Sequence, residues 1–272
     1  MLVSRRTTLS LRAVALLYLA LLLLLPVAVV LARTFEHGLG TAWGWVTTPA
    51  AISALWLSIV IAAIAVPANT IFGVGCALVL VRSKARGRAI LDALIDLPFV
   101  VSPVIVGLAL VLVYGQGGWF GDSLIRHGLT VIYTPAGMVL ATVFVSLPFV
   151  VREVAPVLLE VGDEQEQAAA TLGASRWQTF WRVTLPSIRW GVAYGVVLTT
   201  ARALGEIGAV AVVSSNVAGS TLTLPLLVQQ RAADIGPHAL TGAYAAATEL
   251  AVMSLVVLLG MTLLSPRRHE AR

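Results

Sequence analysis

Long apolar stretches alternate with short polar segments along this chain. Asp, Glu, Lys and Arg are absent from residues 13–32, 97–121, 127–151, 207–230 and 250–266. A membrane-spanning helix needs about 20 mostly apolar residues. The pattern therefore predicts six spanning helices, at residues 11–31, 52–80, 97–113, 136–151, 190–213 and 241–264. The predicted fold class is all-α, in a polytopic membrane protein.

The predicted spans divide the chain into three parts. Residues 1–51 would contain an N-terminal segment, the first span and the first external loop. Residues 52–264 would form the transmembrane domain, which includes a long polar loop at 163–186. Residues 265–272 would form a short tail.

The composition is that of a membrane protein and excludes a soluble one. Hydrophobic residues make up 58% of the 272 residues and charged residues only 11%, whereas a soluble domain is about one quarter charged. The net charge of +5 does not predict a nucleic-acid partner. In a membrane protein, basic residues in the loops mainly determine the orientation of the chain in the membrane. The single Cys76 excludes an internal disulfide, and the scattered His residues predict no metal site. We therefore expect membrane lipid to surround the spans.

Basic residues predict how the chain is oriented. Most of the 18 Lys and Arg residues fall in alternate segments, which are the N-terminal segment, the loop after the second span, the loop at 163–186 with its flanks, and the tail. Only Arg33, Arg126 and Arg231 fall on the opposite side. Both termini and the loop at 163–186 are therefore predicted to be cytoplasmic.

The loop at 163–186 has the pattern of two short helices joined by a sharp turn. Asp163 and Glu166 predict a capping box that begins a helix at 165–172. Gly173 follows where a helix end favours a residue with positive φ. Ser175 and Gln178 predict a second capping box, at the start of the next helix.

The second predicted helix of the loop has an apolar face, because Trp177, Phe180 and Trp181 have i, i+3, i+4 spacing. Two interpretations fit the loop. It either docks on a cytoplasmic partner protein that drives transport, or lies as an amphipathic helix on the lipid headgroups. The residues alone leave both open.

Ionisable residues and prolines inside the predicted spans are candidates for a transport pathway. Arg202 and Glu206 share a helix face because they are four residues apart, and a charge at the centre of a spanning helix costs about 2.5–3.5 kcal/mol. The pair either lines a water-filled route or locks the fifth span against its neighbours. Pro98, Ser102 and Pro103 predict either an irregular, cavity-lining segment or a simple kinked helix.

The loop resembles the EAA loop of ABC importer permeases, in which Glu-Ala-Ala is followed by three residues, Gly, nine residues, a branched apolar residue, one residue and Leu-Pro. The resemblance implies contact with an ATPase for the matching positions, which are Gln167, Ala168, Ala169, Gly173, Val183, Leu185 and Pro186. The chain departs from the motif at Gln167, where the family has Glu. Any role that needs a carboxylate at that position is therefore in doubt.

Further stretches resemble the permeases for sulfate or thiosulfate and for molybdate. They are DLPFVVSPVIVGLALVLVYG at 96–115 and ARALGEIGAV at 201–210. VVSS followed by TLTLPLLVQ, within 212–229, is more similar to the sulfate branch. The resemblance implies a sulfate or thiosulfate permease with the type I importer fold, in the bacterial inner membrane. The alternative is a molybdate or tungstate permease.

The resemblance also implies partners. They are a cytoplasmic ABC ATPase dimer that binds ATP and Mg²⁺, a second paralogous permease subunit and an extracytoplasmic sulfate-binding protein. This chain would not be an enzyme by itself and would bind no cofactor. It has no GxxxxGK[ST] phosphate loop, which agrees with ATP binding to the partner ATPase instead of to this chain.

Two other classes of membrane protein fit the sequence less well. A secondary transporter predicts internal repeats and several buried ionisable groups. An intramembrane enzyme needs a nucleophile with its base, or a set of metal ligands, within the spans. The sequence displays neither arrangement.

Overall fold

The computed structural model describes residues 5–83, 86–236 and 239–264, and every regular element in these ranges is helical. The α-helices are, in chain order, α1 (Arg5–Phe35), α2 (Leu39–Val46), α3 (Pro49–Arg82), α4 (Arg88–Val100), α5 (Pro103–Tyr114), α6 (Gly121–Arg126), α7 (Pro135–Val161), α8 (Glu164–Thr171), α9 (Arg176–Thr179), α10 (Leu185–Leu204), α11 (Gly208–Val213), α12 (Leu224–Ala233) and α13 (Ala239–Leu264). A π-helical turn, Phe180–Thr184, joins α9 to α10. The predicted tail at 265–272 lies outside the described residues. The all-α prediction is confirmed for the described ranges.

Within the described ranges, four helices are long and apolar enough to cross a membrane by themselves: α1, α3, α7 and α13. The α4–α5 pair makes a fifth if it is counted as one broken span. α10 is outside this set, because Arg189, Arg202 and several small polar residues lower its hydropathy. The prediction of a multi-pass membrane protein is therefore confirmed, whereas the number of six spans is not reached on length and composition alone.

The third predicted span, 97–113, is not one helix. α4 ends at Val100 and α5 begins at Pro103, and the two helices are bent by 111°. Val101 and Ser102 are extended, with ψ of 133° and 135°. Pro103 causes the break, because it has no N–H to continue α4 and favours an extended residue before it. The break rules out the simple kinked helix, and the cavity-lining role of the irregular segment stays a prediction.

The fifth predicted span, 190–213, is also wrong as a single element. α10 begins five residues earlier than predicted, at Leu185, and ends at Leu204. A non-helical stretch at 205–207 then separates it from α11. The apolar pattern runs across this break and hides it, although Gly205, a residue unfavourable inside helices, occupies the α10 C-cap.

Helices α3, α7 and α10 pack closely because glycines face Val150 of α7 from both sides. A Cβ added at Gly73 of α3 would lie 2.7 Å from the Val150 Cβ, and one added at Gly195 of α10 would lie 2.9 Å from the Val150 Cα. Small residues let spanning helices approach in this way. Val150 belongs to a hydrophobic cluster that also contains Leu158 and Ile188, and this cluster supports the 163–186 loop.

The first helix is peripheral to this bundle. The apolar side chains of α1 that the structure describes are largely exposed. It lies beside α13, where the Thr34 and Thr248 hydroxyls are 2.8 Å apart. Its exposed surface suits lipid or another subunit, as the outer surface of a membrane protein requires.

Candidate functional site

Helix α8 projects from the bundle and ends in a glycine turn. Gly173 has φ of +85°, and its N–H donates to the Ala170 carbonyl at 3.0 Å. The Ala174 N–H donates to the Ala169 carbonyl at 3.0 Å. These two bonds form a Schellman motif, which satisfies carbonyls at the end of the helix. The prediction of a helix end at Gly173 is confirmed.

The tip formed by this turn is open to solvent. Gln167, Ala168 and Gly173 are exposed, and Leu172 is 88% exposed. No atom of the described residues outside the turn lies within 4 Å of a Cβ added at Gly173, so the positive φ alone favours glycine there. The exposed Leu172 at the C-cap and the exposed Ala168 leave the end of α8 uncovered by the rest of the described chain.

The first predicted capping box of the loop is wrong. Asp163 does occupy the N-cap of α8, but its side chain makes no capping hydrogen bond. Glu166, the expected partner, instead turns toward the bundle. A stronger, charged partner outside the loop competes successfully for the Glu166 carboxylate.

That partner is Arg82, the last residue of α3. Arg82 Nε lies 3.2 Å from Glu166 Oε2, and the Thr184 hydroxyl donates to Glu166 Oε1 at 3.0 Å. Arg82 also donates to the Leu158 carbonyl at 3.2 Å and to the Gly162 carbonyl. Glu166 therefore ties α8 to the ends of α3 and α7 and to the π-helical turn before α10.

The second half of the loop starts as predicted. The Ser175 hydroxyl accepts a hydrogen bond from the Gln178 N–H at 3.3 Å, and the Ser175 N–H donates to Gln178 Oε1 at 2.9 Å. This capping box is confirmed. The helix that it starts continues through the π-helical turn into α10, so the loop leads directly into a helix of the bundle.

The remaining motif positions lie mostly where the loop packs on the helix bundle. Leu185 packs with Phe180 against the cluster around Leu158 and Ile188, whereas Val183 is half-buried and Pro186 is exposed in the first turn of α10. Ala169 is half-buried on α8. The structure therefore separates the motif into an exposed part on α8 and a supporting part around Val183 and Leu185.

An open groove of about 450 Å³ lies between α8 and the helix that follows it. Its lining includes Arg82, Gln167, Ala170, Arg176 and Phe180. Charged side chains border the groove, and Phe180 is its single aromatic residue among the described residues.

The pathway candidates Arg202 and Glu206 form an ion pair with N···O of 2.6 Å. The Glu206 side chain is only 1% exposed and that of Arg202 is 30% exposed. Glu206 Oε1 also accepts the Ala209 N–H at 2.9 Å, which satisfies a donor in the first turn of α11. Glu206 therefore has a clear structural role, since it connects the end of α10 to the start of α11.

The other pathway candidates lie at the facing helix break. A Cβ added at Gly208 would be 3.0 Å from the Pro103 Cβ, and one added at Gly107 would be 2.7 Å from the Ala209 carbonyl oxygen. Ser102 is exposed beside this contact, whereas Pro98 is buried inside α4. The structure thus brings Ser102, Pro103 and the Arg202–Glu206 segment into one region, with Pro98 one turn away.

Sequence reasoning missed an ion cluster between α4 and α7. Arg152 Nε donates to Asp96 Oδ1 at 2.8 Å, and Arg152 Nη2 donates to Asp92 Oδ1 at 2.9 Å. The aspartates are four residues apart on one face of α4, which is the signal that the sequence offered. The cluster fixes α4 against α7 near the α4–α5 break.

A second missed residue is Arg231, which is buried although it has no carboxylate within 4 Å among the described residues. Its guanidinium donates to the carbonyls of Trp45 and Gly242 at 3.2 Å and to the Thr48 hydroxyl at 2.8 Å. It also lies 5.0 Å from the centre of the Trp45 ring. These contacts join α12 to the starts of α3 and α13, and short sequence patterns cannot indicate them.

Comparison with known proteins agrees with this architecture. Residues 69–270 match the family described as "Binding-protein-dependent transport system inner membrane component". The chain is 50% identical over 245 residues to the sulfate transport system permease protein CysW of Synechocystis sp., covering 90% of this chain and 89% of that protein. It is 37% identical to the sulfate transport system permease protein CysT of Escherichia coli, covering 96% and 92%.

Among solved structures, a bacterial ABC transporter involved in the import of the acidic polysaccharide alginate has a similar fold. The TM-score is 0.76, the sequence identity is 18%, and the match covers 97% of this chain and 96% of that chain. At this identity the likeness concerns the fold alone.

Proposed function

The chain belongs to the family of binding-protein-dependent transport system inner membrane components, and we propose that it is a permease subunit of an ATP-driven importer of sulfate or thiosulfate. The substrate is suggested by relatives that are 45–50% identical and are named as sulfate transport permeases. These relatives do not favour the alternative of molybdate or tungstate. Because the chain resembles both CysW and CysT, we propose that it pairs with a second, paralogous permease.

The topology that we propose has six spans. They are α1, α3, the broken pair α4–α5, α7, the broken pair α10–α11, and α13. Both termini and α8 would face the cytoplasm of a bacterial cell, because the basic residues concentrate in these segments. An extracytoplasmic binding protein would then deliver the anion to the opposite face.

The observation that carries the coupling role is the exposed glycine turn of α8 above the Arg82–Glu166–Thr184 contacts. The exposed tip would pack into a groove of a cytoplasmic ATPase. These partly buried contacts would pass movement of that ATPase to α3, α7 and α10. ATP and Mg²⁺ would bind to the ATPase, and this chain would bind no cofactor.

The structure also bears on the departure at Gln167. Glu166 does not replace the missing carboxylate, because its side chain is paired with Arg82 instead of facing the exposed side of α8. We propose that Gln167 contacts the ATPase as a neutral hydrogen-bonding group. Its amide can both donate and accept, whereas a glutamate carboxylate can only accept.

The pathway would pass near the two adjacent helix breaks. Arg202 keeps guanidinium N–H groups beyond the one paired with Glu206, and its side chain is partly exposed. Extended backbone at Val101 and Ser102 is the kind of segment that membrane proteins tolerate where it is buried by protein or lines a water-filled cavity. We propose that these groups border the route of the anion.

Uptake of labelled sulfate in a strain lacking this chain tests the function. Wild type should restore uptake, and Gly173→Trp, inserted correctly, should not, because the indole occupies the space needed for docking. Gly128→Trp is the matched control, since Gly128 also has positive φ and open space around its Cα. Co-purification of the ATPase should be lost only for the Gly173 variant.

The outcomes separate the parts of the proposal. If wild type restores molybdate uptake but not sulfate uptake, the substrate assignment fails and the permease assignment stands. If Gly173→Trp transports sulfate normally, the coupling role of α8 is wrong.

A further inference from the structure

The segment from α9 to the start of α10 is rich in arginine and tryptophan. Within fifteen residues it carries Arg176, Trp177, Trp181, Arg182, Arg189 and Trp190. The three arginines are exposed, and Trp177 and Trp181 are 69% and 50% exposed. Such a combination of exposed side chains within one short segment is unusual for a helix that faces only water.

The aromatic rings of this segment form one cluster. Trp177 and Trp181 have ring centroids 5.5 Å apart, and Phe180 and Trp181 are 5.3 Å apart. Further along the segment, the Arg189 guanidinium lies 5.7 Å from the centre of the Trp190 ring. Phe180 packs against the bundle, whereas the two clustered indoles keep an outer surface free.

Among the described residues, no ion pair neutralises the positive charge of these arginines. Arg82 is paired with Glu166, and Arg152 is paired with Asp92 and Asp96. In the described part of the chain, no carboxylate lies within 4 Å of Arg176, Arg182 or Arg189. Three exposed guanidinium groups without an ion pair, in the same short segment as two exposed indoles, are complementary to an anionic surface.

The depth of this segment along the bundle is that expected for the membrane–water interface. Arg182 is two residues from Thr184, which binds Glu166 at the end of α3. Arg189 follows Ile188, which packs with Leu158 near the end of α7. The apolar part of α3 ends at Arg82. The segment therefore lies at the depth where apolar spans end, and tryptophan and arginine concentrate at that depth in membrane proteins.

We propose that this Arg–Trp surface binds the headgroups of anionic phospholipids. The indoles would insert beside the upper acyl chains, and the arginines would pair with lipid phosphates. The loop would then have two separate contacts, the α8 tip on a protein partner and the Arg–Trp surface on lipid. The inference does not depend on which anion is transported.

Quenching of tryptophan fluorescence by brominated lipids tests this proposal. The full chain is reconstituted in mixed vesicles of phosphatidylglycerol and phosphatidylcholine, in which either one or the other lipid carries bromine on its acyl chains. The ratio of the two quenching efficiencies measures the local preference for the anionic lipid. We expect a preference of about fivefold or more in wild type, since each basic residue near an anionic lipid surface contributes on the order of 1 kcal/mol, which corresponds to about fivefold.

The variants assign that preference to the surface. In Arg176→Gln/Arg182→Gln/Arg189→Gln the preference should fall toward one, and in the corresponding triple Lys variant it should remain. Arg126→Gln, an exposed arginine in α6, is the matched control and should behave as wild type. Trp181→Phe should reduce total quenching, which shows that the surface contributes to the signal.

Two results would overturn the proposal. One is equal quenching by the two lipids in wild type. The other is a triple Gln variant that keeps the lipid preference. If that variant also no longer co-purifies with the ATPase, the arginines serve a protein contact.

Discussion

Gly208 at the start of α11 lies directly against Pro103 at the start of α5, since a Cβ added at Gly208 would be 3.0 Å from the Pro103 Cβ. Each residue begins a helix immediately after a break. The break that Pro103 causes and the break capped by Glu206 are therefore in contact. Movement at one helix break would displace the other, because close-packed surfaces cannot deform without displacing their neighbours.

A larger residue at Gly208 should separate these helices. We expect Gly208→Leu to destabilise the chain by about 1–3 kcal/mol, as overpacking in a well-packed core does, and to reduce sulfate uptake. The midpoint of thermal unfolding of the chain in detergent measures the first effect. Gly260→Leu in α13 is the control, because no atom lies within 4 Å of its added Cβ. Equal midpoints for the two variants would contradict the contact.

Removal of the buried Glu206 carboxylate from its pair with the partly exposed Arg202 should destabilise the chain. Glu206→Ala removes the partner of Arg202 and the acceptor of the Ala209 N–H. We expect a loss of about 3 kcal/mol or less, because Arg202 is partly exposed and is stabilised by solvent after the change. Thermal unfolding in detergent provides the measurement.

Neutralising both partners should separate a structural role from a pathway role. In Arg202→Gln/Glu206→Gln no buried charge remains unpaired, and the amide oxygen introduced at position 206 can still accept the Ala209 N–H. We expect stability to recover compared with Glu206→Gln alone. If sulfate uptake stays low despite recovered stability, Arg202 acts on the anion. If uptake recovers together with stability, the pair is structural and the pathway assignment of Arg202 is wrong.

Local features of the loop at 163–186 could be predicted from sequence, because the interacting groups are close along the chain. The glycine turn at Gly173 and the capping box of Ser175 with Gln178 involve neighbours within five residues. The failed capping box shows the limit. Arg82, which takes Glu166 away from it, is 84 residues distant, and no local pattern indicates such a contact.

The helix breaks were predicted only in part, for a similar reason. Prolines signalled an irregularity near Ser102, but the bend of 111° depends on how α4 and α5 pack on α7 and α11. The break after α10 was missed because apolar periodicity continues through Gly205 and Ile207. The adjacency of Pro103 and Gly208 joins residues more than one hundred positions apart, so only the folded structure could reveal it.

The contact between Arg82 and Glu166 should matter for coupling more than for folding. We expect Glu166→Ala to insert normally but to reduce sulfate uptake per ATP hydrolysed, because α8 loses its charged link to α3 and its hydrogen bond to Thr184. Glu166→Gln should be milder, since its amide oxygen can still accept from Thr184. Uptake and ATP hydrolysis are measured together in vesicles that contain the whole importer. An unchanged ratio in Glu166→Ala would exclude transmission through this contact.

The cluster of Arg152 with Asp92 and Asp96 should hold α4 in place. Arg152→Ala leaves two carboxylates one helical turn apart and unpaired, so we expect faster hydrogen exchange of the α4 backbone amides. Asp92→Asn and Asp96→Asn should each have a smaller effect, because the remaining aspartate still pairs with Arg152. The side chains are 38–47% exposed, so each single pair contributes only about 1 kcal/mol or less. The charge exchange Arg152→Asp/Asp96→Arg should restore part of the protection. If Arg152→Ala exchanges like wild type in α4 while its control region in α13 is also unchanged, the cluster does not fix α4.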